Sequence, residues 1–290
     1  MTRDHPEYKV GVALGSRDSV GLLRKRSVRL GALLALLALE TYFVLFYEVK
    51  LRVVNIVERG HELVRDDPTN PSMNDTFYMT KAASIHLHVI GPNAACPLHV
   101  HRNNEEATLV VEGLAHVTTR FGRDGQSASL DEVYPAGTLI ALPTLCAHRW
   151  HNVTPGAYHN NLVFSRPAFT FNEFVKPDDP TLLRASPPSI VDLPERLSEF
   201  LKTDKAAELG PLPALGGTLF TLFVRDAYVV AARGKEPVSF YVVQGEGEID
   251  ASTRGALGPD DLAMMTHGAG ARLTAHPGKA LVGLLFYPER

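Results

Sequence analysis

The sequence predicts an all-β protein of two barrels in tandem behind an N-terminal apolar helix, and three observations carry that prediction. Between about residues 77 and 164, short apolar runs alternate with turn residues, the pattern of a many-stranded barrel. After Leu215 the strand pattern returns in "TLFTLFVRDAYVVAA", "VSFYVVQGEGEID" and "ALVGLLFYP", and "FYVVQGEGEI" parallels "ATLVVEGLAHV" of the first half, which marks an internal duplication. Ahead of both stands the apolar run "LGALLALLALETYFVLFYEV", residues 30–49. The chain then divides into a basic tail (1–27), an apolar helix (28–49), a helical and turn-rich linker (50–76), a first barrel (77–168), a Pro-rich connector with a short helix (169–214) and a second barrel (215–290).

Within the linker, "KLRVVNIVERGHELVRDD" fits a helix leading out of the apolar run and interrupted at Gly60, and Pro68 and Pro71 end it. The first strand is expected near Phe77 or Ala82. In the connector, Asp192 followed by Pro194 and Glu195 reads as a helix N-cap and first turn. That helix should run to about Leu209, stop at Gly210 and Pro211, and bury Leu197, Phe200 and Leu201 on one face.

With 290 residues, 45% of them hydrophobic and 21% charged, the chain has enough apolar material for roughly two domains with cores. A formal net charge of −3 without a basic stripe gives no footprint for nucleic acid. The basic residues do gather at Arg24, Lys25, Arg26 and Arg29, directly before residues 30–49. Twenty helical residues span about 30 Å, a bilayer's hydrocarbon thickness. Seven Lys and Arg precede the run and four follow it up to residue 65, which orients the N-terminus to the cytoplasm and the barrels to the periplasmic or extracellular side. Glu40 at mid-segment opposes this by a few kcal/mol. A single-span anchor is the favoured reading. The others are a cleaved signal peptide, which lacks a clean A-x-A site, and an apolar helix packed on a partner or in a homodimer.

The chemistry concentrates between His86 and His159, where eight of the twelve histidines lie. His99 and His101 stand two apart, so on a strand both rings point the same way. Glu106 follows, and His148 is a third imidazole far downstream. Three His nitrogens and one carboxylate suit a single divalent transition metal and offer too few oxygens for Ca or Mg. Glu105 competes with Glu106, but only Glu106 leaves six residues before Gly113 and shares strand parity with Thr108 and Val110. His86 and His88 form a second same-face pair, which either enters the cavity or makes a polar outward face. Trp150 and Asn152 share parity with His148 and are expected to line the cavity. Cys96 and Cys146 flank the ligands; they read as buried thiols, then as a disulfide, and last as a soft ligand.

"PLHVHRNNEEATLVVEG" resembles the first cupin motif, HxH(x)3–4E(x)6G, and "GTLIALPTLCAHRWHN" the second, G(x)5PxG(x)2H(x)3N. Two positions depart from the pattern: Gly91 lies two residues too far upstream to open the first motif, and Leu145 replaces the internal Gly of the second. The resemblance covers about residues 80–165 strongly and the last third weakly. It implies jelly-roll barrels with the metal inside. Matching Gly245 to Gly113 puts Ala231, Arg233 and Val238 where His99, His101 and Glu106 stand, and matching Gly268 to Leu145 puts Ala271 at the place of His148. The second barrel is therefore expected to hold no metal.

For the first barrel the family implies dioxygenation, decarboxylation, isomerisation or epimerisation. Leu139, Leu142 and Trp150, with no basic cluster nearby, favour a small oxygenated or aromatic substrate. The reading adopted is an Fe- or Mn-dependent dioxygenase, with Fe or Mn preferred to Zn or Ni. The competing class is a non-catalytic, membrane-tethered metal-binding subunit of a larger membrane complex.

Overall fold

The computed structural model describes residues 51–290 except 213, 232–235, 252, 266–269 and 290. The expected helix at residues 28–49 lies outside the described residues. Among the described residues, no helix is long and apolar enough to cross a membrane.

Two barrels follow one another: in the first a six-stranded sheet faces another of six strands, and in the second a six-stranded sheet faces one of four. In the first barrel the large sheet runs, side by side, Ser72–Met79, Ser84–Ile90, His159–Arg166, Glu105–Glu112, Thr138–Leu142 and Ser189–Asp192. The facing sheet places Glu173–Phe174, His99–Val100, Ala147–Asn152 and Leu114–Arg123 in that order, with Gln126–Ala128 and Asp131–Pro135 both paired to the last. In the second barrel the large sheet runs Ala207–Pro211, Leu219–Val224, Leu281–Phe286, Val238–Gln244, Asp261–Met265 and Leu51–Asn55. Its facing sheet is Ala227–Val230, Ala271–Ala275, Gly247–Asp250 and Arg254–Leu257. Five strands of the two large sheets correspond in the same order along the chain, and the sixth comes from residues 189–192 in one and 51–55 in the other.

The edge strands depart from the expected domain boundaries. Residues 51–55 form a strand of the second barrel, paired antiparallel with Asp261–Met265, and not the start of a helix. Val53 and Val54 suit a pleated surface, and the pairing closes an otherwise open sheet edge. The helix is Ile56–Asp66, capped by Asn55, whose side chain accepts from Glu58 N. It is not interrupted at Gly60. A Cβ there would lie 2.6 Å from Asn160 Nδ2, so glycine lets the helix approach the first barrel. The first strand begins at Ser72, earlier than expected. In the connector Asp192 does cap a helix, accepting from Glu195 N at 3.0 Å, but the helix ends at Leu201. Residues 207–211 extend the second barrel instead. Leu197 and Phe200 are buried, whereas Leu201 is 50% exposed.

The main apolar core lies between the two large sheets. Ile85, Leu87, Leu109, Leu162 and Phe164 of the first meet Tyr241, Leu262, Leu284 and Phe286 of the second, with the Phe164 and Phe286 rings 5.4 Å apart. Because side chains alternate across a strand, these contacts force the intervening residues into the barrel interiors. In the second barrel the intervening residues are apolar: Val230, Val238, Phe240, Ala271, Leu273 and Leu285 fill it. In the first they are His86, His88, Glu106 and Thr108.

Phe286→Ala should therefore cost about 3–5 kcal/mol in urea unfolding, the usual cost of a large cavity in a core. Val229→Ala, at a site 65% exposed, should change stability by no more than about 0.5 kcal/mol.

Candidate metal centre

The short strand His99–Val100 lies beside Ala147–Asn152 with His99 directly opposite His148. Val100 and Ala147 point outward into a small apolar cluster with Leu182, which turns His99, His101 and His148 inward. Their ring centroids stand 4.2 Å (His99–His148) and 5.1 Å (His101 to each of the others) apart. One ligand nitrogen from each lies within 4.8 Å of the others. All three rings are buried. Glu106 comes from the opposite sheet, 3.1 Å from His101 Nε2 and 3.8 Å from His148 Nε2. Thr108 Oγ1 donates to Glu106 Oε1 at 2.8 Å and holds the carboxylate in place.

Hydrogen bonding sets the tautomers. His99 Nδ1 lies 2.8 Å from the Pro97 carbonyl and His148 Nδ1 3.1 Å from the Cys146 carbonyl. A carbonyl only accepts, so each Nδ1 carries the proton and each Nε2 keeps its lone pair. Metal-binding histidines are held in this way. The donor set, its spacing and these tautomers fit a divalent transition metal.

The charges agree. Burial, then the neighbouring His99, pushes His148 down to about 3, and burial lowers His99. Burial alone would raise the Glu106 carboxyl, but His101, with smaller help from His148 and His86, holds it well below the carboxylate range. For His101 the burial effect is outweighed by the attraction and hydrogen bond of Glu106, and its pKa is raised. The cluster thus sets one carboxylate beside His101, whose protonation it favours, and two imidazoles, His99 and His148, that resist protonation.

Glu105 points away, accepting from Gly216 N at 2.9 Å. His86 and His88 face the cavity, because the opposite face of their strand is the apolar inter-barrel contact. Trp150 lines the cavity beside them. Asn152 does not, contrary to expectation. It sits at the strand end, where its amide donates to the carbonyls of Ile90, Gly91 and Ala157 and clamps a loop. Both cysteines are free, and burial raises Cys96 to about 11 and Cys146 to about 12. They are protonated thiols at neutral pH. Leu145 adopts φ +66°, the left-handed conformation glycine takes without strain, at a cost of roughly 1–2 kcal/mol.

Sequence reasoning missed the rest of the cavity wall. Its volume is about 360 Å³, within the range of small-molecule sites. Ser72, Asn74, Thr76, Asn161 and Phe169 also line it. The polar alternation of Ser72, Asn74 and Thr76 was a readable signal. Phe169 had none, since it reaches the site from the connector to pack 5.4 Å from both His86 and His101. Arg102 grips Glu173 and ties that connector down.

These burial effects give metal-free protein a defined pH dependence. His88 and His148 at about 3 and His159 at about 4, with His86 and His99 also lowered by burial, titrate below their unfolded value of about 6.5. Below that pH the unfolded chain binds more protons, so stability falls with pH by up to about 1.4 kcal/mol per unit for each histidine. His101, protonated in both states below about 6.5, adds no slope there. Urea unfolding between pH 6.5 and 5 should show the decline, and His159→Leu should reduce its slope by up to about 1.4 kcal/mol per unit. A flat profile would contradict this assignment.

Residues 76–163 match the cupin family model. No curated protein sequence matches the chain. Among solved structures, salicylate 1,2-dioxygenase from Pseudaminobacter salicylatoxidans is similar at 18% identity and a TM-score of 0.60, over 82% of this chain and 84% of that one. The structure of that dioxygenase with gentisate adducts gives 16% identity and a TM-score of 0.56 over 90% of both chains. A cupin 2 conserved barrel domain protein from Leptotrichia buccalis gives 9% and 0.55, over 81% and 94%. At such identities the structures speak for the fold alone. The histidine cluster lies within the residues that match the cupin family model, and the solved structures share the fold of this chain.

Proposed function

We propose that the first barrel is a metal-dependent oxidoreductase centre, a dioxygenase acting on a small aromatic substrate. One observation carries the proposal: three imidazoles and one carboxylate converge at the wall of an open cavity of about 360 Å³ bounded by Trp150 and Phe169. His99, His101, His148 and Glu106 would hold the ion, with Fe or Mn suited to the reaction. Such an ion, bound by four protein groups with further positions open, supplies Lewis acidity and one-electron chemistry toward oxygen and substrate.

The chain's own residues do the rest. Trp150 and Phe169 offer aromatic surfaces for a flat ring. Thr108 fixes the orientation of Glu106. The apolar strip of Ile90, Val110, Ile140 and Leu142 deeper in the barrel excludes bulk water behind the site. The second barrel, filled by Val230, Val238 and Ala271, serves as the support on which the first sheet is built. The proposal takes its reaction class from salicylate 1,2-dioxygenase, with which this chain shares its fold. The run at residues 30–49 and its basic flank support a membrane tether with the barrels outside the cytoplasm, as part of the same proposal.

Oxygen uptake tests the proposal. Protein carrying one Fe or Mn per chain should consume oxygen in proportion to loss of a hydroxylated monocyclic aromatic, and His148→Ala should abolish uptake while the fold persists. No uptake across mono- and dihydroxylated aromatics by fully loaded protein would overturn it.

A further inference from the structure

One wall of the cavity consists of neutral hydrogen-bonding side chains on three adjoining strands. Ser72, Asn74 and Thr76 share a face of Ser72–Met79, His86 and His88 a face of Ser84–Ile90, and Asn161 stands on His159–Arg166. The register places Asn74 opposite His88 and Thr76 opposite His86, and His88 in turn opposite Asn161. The six therefore form one continuous patch. Ser72 Oγ lies 3.0 Å from His88 Nε2. The Asn161 amide is buried beside the His159 ring, yet neither of its polar atoms completes a hydrogen bond of normal geometry. His86 and His88 add imidazole nitrogens, which hydrogen-bond as donor or acceptor, to the same face.

Charge is the discriminating feature of this wall. Among the described residues lining the cavity, Lys and Arg are absent and Glu106 is the one carboxylate. A bound metal attracts phenolates and carboxylates alike, so the wall decides between them. A substrate hydroxyl turned to the patch exchanges hydrogen bonds to water for bonds to His88 or Asn161. A substrate carboxylate turned the same way gives up part of its hydration without meeting a cationic side chain, which is costly.

From this we infer that Ser72, His88 and Asn161 recognise a hydroxyl group of an uncharged aromatic substrate, so that the site selects plain phenols and diphenols over ring carboxylic acids. The inference rests on the proposed function for its aromatic substrate, and adds the class of that substrate and the residues that choose it.

Trp150 is the chain's single tryptophan and lines the cavity, so its fluorescence reports ligand entry without turnover. Full-length protein loaded with redox-inactive Zn is titrated with catechol and, separately, with salicylate. Catechol should quench Trp150 with a Kd at least about tenfold below that of salicylate, the worth of one or two well-placed hydrogen bonds. His88→Leu should weaken catechol about tenfold and leave salicylate and Zn content unchanged. Where His88→Leu fails to fold, Ser72→Ala, at an exposed strand position, should weaken catechol about threefold. Salicylate binding as tightly as catechol, no quenching by either, or catechol affinity unchanged in a folded variant would each overturn the inference. Oxygen uptake by the Fe-loaded protein separates the two readings. Tight catechol binding without uptake defeats the oxidoreductase assignment alone, and uptake with tightly bound salicylate defeats the substrate class alone.

Discussion

The back-to-back packing of the two six-stranded sheets sets the parity of every strand around the site. Leu87, Leu109, Leu162 and Phe164 have to face Tyr241, Leu284 and Phe286, and a slip of one residue would turn each of them toward the wrong side. With those positions fixed, His86, His88, Glu106, Thr108 and Asn161 have only the barrel interior to enter. The first barrel thus carries a polar interior because its outer face is bought in apolar contacts with the second. The loss of ligand residues from the second copy belongs to the same division of roles: its interior is packed with Val, Leu, Phe and Ala, and its outer face anchors its neighbour.

Within that frame the metal centre is an electrostatic balance. Three imidazoles at 4.2–5.1 Å would repel if protonated, and burial keeps His99 and His148 neutral. Glu106 is the countercharge that makes burial of His101 tolerable, and Thr108 holds it at the right angle. A divalent ion would take over the role His101's proton plays toward Glu106. The carbonyls of Pro97 and Cys146 already hold two of the rings with their lone pairs free, so the site is organised before an ion arrives.

Much of this was legible in the sequence, and the reasons differ by element. The inward placement of His99, His101, Glu106 and His148 could be read because motif spacing and strand parity are local quantities: counting back from Gly113 chose Glu106 over Glu105, and Glu105 in fact faces Gly216. The orientation of His86 and His88 was left open, since alternation alone does not say which face is buried; the inter-barrel core decides it. Asn152 has the parity of a cavity residue but stands where the strand ends, so its amide caps three loop carbonyls instead. The pairing of Leu51–Asn55 with Asp261–Met265 joins segments about two hundred residues apart, and no local pattern announces such a contact. Phe169 was missed for the same reason: it belongs to a connector whose path depends on the Arg102–Glu173 pair and the hydrogen bond from Phe169 N to Ser84.

We propose that one barrel of the two binds metal, through the single cluster of His99, His101, His148 and Glu106. Metal content per folded chain, measured by mass spectrometry on the purified full-length protein beside a His99→Ala/His148→Ala variant, tests it most directly. The expected result is about one transition-metal ion per chain in the first and none in the second, with the variant still folded. Metal retained by the variant, or two ions per chain in the unaltered protein, would contradict it.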